Sequence, residues 1–376
     1  MNHSKAVYLI ASSMITPLGV GTDENFNELI QGNSGIKKIL DPLLFPHDLP
    51  LAKIDDTIIE ACKLKFKTST RFDSLVLACL DHLQTKTEID LSSEEVLVVL
   101  STTKGNIELL QTYENDEKLF LSSSAQLIQY QLKQSKPPII ISNACISGLS
   151  AIIVAKRLLQ EGNYKHALII GCDVLTNFVI SGFNSFHAIS NEVCKPFDIN
   201  RSGISLGEAC AGLILSTEIK SDIQVLGGIV SNDSNHISGP SKTGEELAYC
   251  IQQSMDDAKL TNHDIDFISA HGTATDYNDE MESKAFSLSA LHNSPVFSLK
   301  ASYGHTLGAS GVLETIISAE CLKQNVILPS AGFTQKGVSG DITLSDKLQR
   351  KEIDTCLKTA SGFGGCNAAL ILKKLN

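Results

Sequence analysis

The sequence lacks the features that mark membrane and exported proteins. No apolar run approaches the roughly 18–20 residues that a bilayer-spanning helix needs. The first apolar stretch, at residues 7–10, is soon followed by serine, threonine and proline. It is too short for the apolar core of a signal peptide. We therefore expect a cytoplasmic protein that has no membrane span.

Surplus basic charge and paired cysteines are also lacking. The chain has 31 Lys and Arg residues against 42 Asp and Glu residues, and its formal net charge is −11. Nucleic acid is excluded as a partner, because phosphate contacts need clustered basic side chains. The ten cysteines contain no C-x-x-C pair, which argues against a zinc site and a redox pair. We expect no bound metal, and most cysteines should be buried, apolar residues.

Short β-rich apolar runs alternate with helical stretches along the whole chain. Strands are predicted at residues 7–10, 96–100, 138–142, 167–171, 211–215, 265–270, 295–299 and 368–372. Helices are predicted at residues 23–31, 70–84, 147–161, 244–259, 279–290 and 309–324. This alternation is typical of parallel strands joined by crossover helices, and it predicts a layered α/β fold.

A weak internal repeat indicates that the chain is duplicated. A shift of 160 residues places Cys145 on His305, and a shift of 157 places the run 211–215 on the similar run 368–372. Two repeats at nearly the same shift favour duplication over chance. Each half then presents a reactive side chain just before a helix, which suggests one site at a pseudo-twofold axis.

Cys145 differs from the other cysteines in its setting. It follows an apolar run at residues 139–141 and a short turn of small residues, and an apolar helix follows it. The free N–H groups at a helix N terminus favour a thiolate and stabilise an oxyanion. A buried structural cysteine is the alternative, because most free cysteines have that role.

His271 and His305 each stand at a turn that follows a predicted strand. Ligands bind α/β sheets beyond the carboxyl ends of the strands, so both positions favour function. A single histidine is more often structural, but a cysteine and two histidines at such turns indicate one shared site. Lys300 and Glu314 flank His305 and could form a pair, since a carboxylate among apolar residues needs a cation.

The glycine-rich segment 361–367 carries Phe363 between glycines. It misses the G-x-G-x-x-G dinucleotide pattern, because Asn367 stands at the last position and a strand follows it. The sequence has no P-loop either. A bulky ring in a flexible loop could gate a site, and an ordinary hairpin turn is the alternative.

These segments together resemble the elongating β-ketoacyl-acyl-carrier-protein synthases of the thiolase superfamily. The resemblance covers nearly the whole chain, and its motifs occur in the family's order at residues 5–36, 143–148, 195–208, 271–282, 300–305 and 362–365. It implies the thiolase fold, in which duplicated βαβαβαββ halves form a five-layer α-β-α-β-α sandwich. The expected halves are residues 1–217, with the nucleophile, and residues 218–376, with both histidines.

The resemblance also implies a reaction and roles for the site residues. Cys145 would carry the acyl group, while His271 and His305 would bind the malonyl thioester as carbon dioxide leaves. The resulting carbanion would attack the acyl group in a Claisen condensation. Lys300 and Glu314 would balance the charge around His305.

Other residues would shape the path of the substrate by the same resemblance. Phe363 would gate acyl entry and supply an oxyanion N–H, and Thr273 and Thr275 would bind the pantetheine arm. Ile146 stands where the family has a smaller residue, so it would reshape the acyl pocket. No cofactor is expected, because the phosphopantetheine arrives on the acyl carrier protein that delivers the malonyl and acyl substrates.

A basic run and the family's assemblies define the expected partners. Residues 61–72 contain no acid, and their basic side chains would dock the acidic carrier protein: Lys63, Lys65, Lys67 and Arg71. A solvated surface is the alternative. We expect a homodimer, or a heterodimer with a ketosynthase-like subunit, in fatty acid, polyketide or aryl-polyene biosynthesis.

Two other functions stay open. A non-catalytic subunit like a chain-length factor would pair with an active ketosynthase and lack the cysteine, and the presence of Cys145, both histidines and Lys300 argues against it. A Cys-His acyl hydrolase would need only Cys145 and one histidine. It leaves the second histidine and Lys300 unexplained.

Overall fold

The computed structural model describes residues 5–111, 117–233 and 241–375. Its strands are β1 (Val7–Thr16), β2 (Gly19–Val20), β3 (Lys37–Ile39), β4 (Leu49–Leu51), β5 (Val96–Ser101), β6 (Ile139–Ile141), β7 (His166–Asp173), β8 (Ala209–Ser216), β9 (Ile223–Asn232), β10 (Phe267–Ser269), β11 (Val296–Phe297), β12 (Val326–Ile327), β13 (Gln349–Arg350), β14 (Thr355–Gly362) and β15 (Cys366–Lys374). Its helices are α1 (Thr22–Ile30), α2 (Asp56–Phe66), α3 (Arg71–Gln84), α4 (Leu121–Leu132), α5 (Ser147–Gln160), α6 (Asn177–Ser185), α7 (Glu245–Ala258), α8 (Asp276–Leu288), α9 (Lys300–Tyr303) and α10 (Ser310–Gln324). Among these described residues, no helix combines the length and the apolar character needed to cross a membrane.

The two halves of the chain form sheets with the same strand order. The order is β6–β5–β7–β8–β1 in the first half and β11–β10–β14–β15–β9 in the second. In each sheet the first three strands are parallel, and the remaining pairs are antiparallel. The halves join where β1 pairs with β9, Val7 opposite Val225 and Tyr8 opposite Gln224. The weak internal repeat of the sequence therefore corresponds to a duplicated fold.

Five layers follow from the alternation of side chains along the buried strands. Odd-numbered residues of β5 and β7 pack with α5 and α10, whereas even-numbered residues pack with α3. In β15, Leu370 and Leu372 pack with α5 and α10, while Ala369 and Ile371 pack with α7 and α8. Helices α5 and α10 thus lie between two sheets whose outer faces are covered by other helices. This is the predicted five-layer α-β-α-β-α sandwich.

The link between the two halves is short. Strand β8 ends at Ser216, and β9 begins at Ile223. The expected division between residues 217 and 218 falls inside this link. It stays a prediction about where one half ends and the other begins.

Two glycines let the central helices touch. A Cβ atom on Gly311 of α10 would lie 2.3 Å from the backbone nitrogen of Leu149, and one on Gly148 of α5 would lie 2.7 Å from that of Val312. No side chain fits at such a separation, so only glycine permits the crossing. The N-terminal ends of α5 and α10 are held together, and with them the two turns that precede these helices.

Candidate active site

Cys145 lies in a tight turn between β6 and α5. Ala144 before it has a left-handed backbone (φ 44°), which is rare for a residue with a side chain. The hydroxyl of Ser147 accepts from the N–H of Asn143 at 2.7 Å and donates to the carbonyl of Ala144 at 2.6 Å. Cys145 is buried and lines a cavity of about 510 Å³. The turn therefore presents the thiol to this cavity.

Two histidines meet this thiol inside the cavity. The sulfur of Cys145 and one ring nitrogen each of His271 and His305 lie within 4.8 Å of one another. The two imidazole rings are nearly perpendicular, with centroids 5.2 Å apart. The structure thus brings together the three reactive side chains that the sequence placed at separate turns.

Two buried carboxylates on α8 hold the loop that carries His271. Glu282 accepts the N–H of His271 at 2.9 Å, and Asp279 accepts the N–H of Thr273 at the same distance. Burial raises the pKa of both carboxyl groups, that of Asp279 to about 7. In this loop the hydroxyls of Thr273 and Thr275 lie 2.9 Å apart on the cavity wall. Both threonines therefore lie where a substrate in the cavity can contact them.

Backbone contacts determine which nitrogen of His305 carries hydrogen. Its Nδ1 accepts from the N–H of Leu307 at 3.3 Å and lies 3.1 Å from the hydroxyl of Ser310. A ring nitrogen that accepts from an N–H is unprotonated, so the hydrogen of the neutral ring is on Nε2. That Nε2 is buried and has no hydrogen-bond partner among the described residues. His305 therefore offers a free N–H donor in the cavity.

Both histidines are neutral at physiological pH. Burial lowers the pKa of each imidazole well below its ordinary value, and the nearby ammonium of Lys300 lowers both further. A neutral imidazole can donate a hydrogen bond to an oxygen while it keeps its proton. The pair is therefore suited to stabilise a developing negative charge.

A thiol and two imidazoles are also the ligand types of a zinc site. Zinc binding needs a lone pair on each ligating nitrogen. At His305, the nitrogen that faces the cavity carries the hydrogen, because its other nitrogen accepts from Leu307. This hydrogen-bond pattern disfavours a metal here.

Burial dominates the acidity of Cys145. Burial and the neighbouring Cys366 raise the pKa of the thiol to about 12, although two lysines and the N–H of Phe363 act to lower it. Desolvation therefore outweighs the two lysines and this N–H. The resting form is the thiol, and the thiolate expected from the sequence is wrong for the unacylated site.

A row of three buried charges stands beside the histidines. Lys300 and Lys358 are fully buried, and both form ion pairs with Glu314, Lys358 at 2.7 Å. Lys358 also donates to three backbone carbonyl oxygens at 2.7–3.2 Å. Two cations and one anion leave a positive charge near the imidazoles. Lys358 was not predicted from the sequence, because β14 has the sequence TCLKTASG, whose threonines and serine hide the burial of the strand.

Phe363 stands at the turn between β14 and β15. It is 45% exposed, and its ring centroid lies 5.7 Å from those of Phe183 and Phe186 at the cavity wall. Burial raises the pKa of the Cys145 thiol, and the backbone N–H of Phe363 acts against that rise. The segment is a hairpin turn, as the simpler alternative held, and its ring also borders the cavity. Phe183 and Phe186 had no signal in the sequence beyond being aromatic.

Two predicted site residues have surroundings that differ from the expected ones. Ile146 is completely buried in the core cluster around α5 and does not line the described cavity, so it does not shape this pocket directly. Arg71 is largely buried and donates to Glu208 at 2.9 Å and to Asp56 at 2.7 Å. Because Glu208 is itself fully buried, Arg71 serves as its counter-ion rather than as a free docking residue.

The three predicted docking lysines lie at the end of α2. Lys65 is well exposed and pairs with Asp81 at 2.8 Å, while Lys63 pairs with Glu60 at 3.0 Å. Lys67 is exposed at the end of the helix. Surface pairs of this kind contribute little energy, so these ammonium groups can exchange partners. Docking at this surface stays a prediction.

Two family models match the chain. The model described as Beta-ketoacyl synthase, N-terminal domain, matches residues 89–220, and Beta-ketoacyl synthase, C-terminal domain, matches residues 224–334. Together these two segments cover more than half of the chain.

The chain is also similar to named relatives. It is 27% identical to 3-oxoacyl-[acyl-carrier-protein] synthase 2 of Rhizobium meliloti (strain 1021), over 98% of this chain and 99% of the relative. It is 29% identical to the Tetracenomycin polyketide synthase ketoacyl synthase alpha subunit of Streptomyces glaucescens, over 67% of this chain and 64% of the relative. Among solved structures, the ketosynthase (ApeO) in complex with its chain length factor (ApeC) from Xenorhabdus doucetiae is similar with a TM-score of 0.88 and 26% identity, over 100% of both chains.

Proposed function

Because the chain belongs to the β-ketoacyl synthase family, we propose that it is a β-ketoacyl-acyl-carrier-protein synthase. It would join an acyl group on Cys145 to a malonyl group, with loss of carbon dioxide. One observation carries this proposal: the thiol of Cys145 lies within 4.8 Å of ring nitrogens of His271 and His305. Both imidazoles are neutral, which suits hydrogen-bond donors to a forming enolate.

The first step is transfer of the acyl group to Cys145. The sulfur attacks the carrier thioester, its new S–C bond forms, and the carrier's S–C bond breaks. The proton of the Cys145 thiol passes to the departing pantetheine sulfur. The oxyanion of this step would be stabilised by backbone N–H groups of Cys145 and Phe363.

The second step is decarboxylation of the malonyl group. Its C–C bond to the carboxylate breaks, carbon dioxide leaves, and the electron pair passes to the thioester oxygen as an enolate. The Nε2–H of His305 and an N–H of His271 would donate to that oxygen. Positive charge from the row formed by Lys300, Glu314 and Lys358 favours the enolate, because a buried charge acts through a low dielectric.

The third step forms the new carbon–carbon bond. The enolate carbon attacks the acyl carbonyl on Cys145, and the tetrahedral intermediate collapses as the Cys145 sulfur leaves as a thiolate. A proton from water then restores the thiol. Thr273 and Thr275 would hold the pantetheine arm, and Phe363 would open and close the entrance. No dissociable cofactor takes part in these steps.

The substrates and the partner follow from the same family. An acyl carrier protein would deliver both acyl groups and dock at Lys63, Lys65 and Lys67. The similar ketosynthase of Xenorhabdus doucetiae is found with a chain length factor, and the similar Streptomyces glaucescens protein is a polyketide synthase subunit. We infer that this chain pairs with a second copy or with a ketosynthase-like subunit, in fatty acid, polyketide or aryl-polyene biosynthesis.

Separate measurement of decarboxylation and condensation tests the proposed function. With malonyl- and acyl-carrier protein, the wild type should release carbon dioxide and form a β-ketoacyl product. Cys145→Ala should form no product, whereas Cys145→Gln should still release carbon dioxide, because the two histidines perform that step. Cys250→Ala, at a buried cysteine of α7, is the matched control and should keep both activities.

Two results would replace the proposal by an alternative. If the wild type neither decarboxylates nor condenses, alone or with a partner subunit, the chain is a non-catalytic subunit. If it hydrolyses acyl esters without ever extending a malonyl unit, it is a Cys-His hydrolase.

A further inference from the structure

Four aromatic side chains form a row along one wall of the active-site cavity. The ring centroid of Phe183 lies 6.4 Å from that of His305 and 5.7 Å from that of Phe363. The centroid of Phe363 in turn lies 5.7 Å from that of Phe186. All four side chains line the cavity, and exposure increases along the row, from the buried imidazole to Phe186, which is 67% exposed. The row therefore runs from His305 to the exposed edge of the cavity, its mouth, where Phe186 stands.

The two phenylalanines of this row that belong to α6 and its end differ in their surroundings. Phe183 packs against the apolar cluster that contains Val179 and Ile180 of the same helix. Phe186 directly follows α6, and its N–H donates to the carbonyl of Phe183 at 3.3 Å. The helix end thus fixes the backbone of Phe186, while its ring stays in the exposed part of the cavity wall. Phe363 therefore contacts one ring that is anchored in the core and one that is not.

The hairpin turn that carries Phe363 lies against the nucleophile. A Cβ atom on Gly362 would lie 3.0 Å from the backbone nitrogen of Cys145. On the other side of Phe363, Gly364 and Gly365 have left-handed backbones, with φ of 90° and 75°. Glycines give such a turn conformational freedom that other residues lack. Contacts of the Phe363 ring are therefore needed to fix its place at the mouth, close to the reacting sulfur.

We propose that Phe186 is a positioning residue that keeps the ring of Phe363 across the mouth of the cavity and so limits the size of the acyl group that reaches Cys145. The proposal rests on the proposed function, in which Phe363 opens and closes the entrance. An aromatic pair is attractive beyond the apolar area that it buries. Phe186 supplies one of the two such pairs that Phe363 makes among the described residues. Without this pair the Phe363 ring leaves the mouth more often, and larger groups enter.

Alkylation of Cys145 by two maleimides of different size tests the proposal without turnover. N-cyclohexylmaleimide and N-methylmaleimide share one reactive group, so the ratio of their rates reports the width of the entrance and not the reactivity of the thiol. Peptide mass spectrometry follows both rates at Cys145. Phe186→Ala should raise the ratio of the cyclohexyl rate to the methyl rate by about fivefold, the effect of losing one aromatic pair. Phe186→Tyr keeps the ring and should keep the wild-type ratio.

Two controls separate the position of Phe363 from a structural defect. Phe178→Ala removes another exposed ring of α6 that does not line the described cavity, and it should leave the ratio unchanged. Cys250, the buried cysteine of α7, should stay unreactive in Phe186→Ala, because the replaced ring is largely exposed. The proposal is overturned if Phe186→Ala leaves the ratio unchanged, if Phe186→Tyr changes it as much as Phe186→Ala does, or if Cys250 becomes reactive as well.

Acyl transfer links the entrance to the substrate. Phe186→Ala should raise the rate at which phenylacetyl-pantetheine acylates Cys145, relative to acetyl-pantetheine, by a similar factor, and an unchanged relative rate would overturn the proposal. If the wild type shows no ketosynthase activity while the maleimide ratio still rises in Phe186→Ala, the proposed function fails and the position of Phe186 at the mouth stands.

Discussion

The substitution Glu314→Gln tests the buried charge row most directly. It keeps the size of the side chain and removes the anion that stands between Lys300 and Lys358, whose side chains have 0% exposure. Breaking a buried ion pair destabilises a protein by about 3–5 kcal/mol, because the remaining charge stays desolvated. Here two ammonium groups would remain, so we expect a loss at the upper end of that range.

Urea unfolding at pH 7.5 measures this loss, and the same helix supplies a control. Glu320 of α10 pairs with Lys323 at 2.8 Å, and the side chain of Lys323 is 35% exposed. The side chain of Glu320 is only 11% exposed, but Lys323 can turn to water once its partner is neutral, so Glu320→Gln should lower the free energy of unfolding less than Glu314→Gln does.

The pH dependence of the difference gives a second check. The two lysines hold the pKa of Glu314 below its ordinary value, against the opposing effect of burial. A carboxylate with a lowered pKa contributes stability above its unfolded pKa and loses it as the pH falls towards its folded pKa. The difference between wild type and Glu314→Gln should narrow below about pH 4.5. If Glu314→Gln costs no more than Glu320→Gln at pH 7.5, the reasoning about the charge row is refuted.

Two further predictions concern the histidines and the carrier surface. Because burial lowers the pKa values of His271 and His305, unfolding exposes groups that bind protons below pH 6.5, so stability is present above that pH and falls below it. His305→Asn should reduce the loss of stability between pH 7.5 and pH 5.5 by about 1.4 kcal/mol in total, as measured by urea titrations, and an unchanged loss would contradict a neutral buried His305. Changing both Lys65 and Lys67 to Glu should raise KM for the acyl carrier protein severalfold at low salt and leave kcat unchanged. Lys133→Glu, at the end of α4, is the control and should alter neither KM nor kcat. An unchanged KM at low salt would exclude docking at α2.

The layered fold could be predicted because the spacing of apolar residues along the sequence reflects which side chains are buried. Strands such as β5 and β15 are continuous apolar runs, and α5 and α10 follow turns of small residues. Strand β9 was missed because Gly227 and Gly228 interrupt its apolar pattern, and α6 because serine, glycine and asparagine weaken its helical signal. Both elements are stabilised by their neighbours in the fold, which no local pattern contains.

The residues of the site could be predicted from the sequence, but not all of their contacts, because those contacts also depend on the tertiary fold. The turns that carry Cys145 and His305 have local signals, whereas their approach depends on contacts across the whole chain. Arg71 was assigned to an exposed basic run, because its partner Glu208 is 137 residues away in sequence. The thiolate was expected from the helix N terminus, and the extent of burial that opposes it is a tertiary property.

The glycine contact between α5 and α10 limits where substitutions can change the shape of the active site. At Gly148 and Gly311 the backbones of the two helices are in direct contact, and no side chain lies between them there. A larger or smaller core side chain therefore cannot change the spacing of the Cys145 sulfur and the His305 ring at this contact. Divergence in substrate range must then occur in parts that do not touch the crossing, such as α6 and the β14–β15 hairpin with their phenylalanines. The spacing of the two reacting groups is thus fixed in one region of the fold, while the walls of the cavity can change in others.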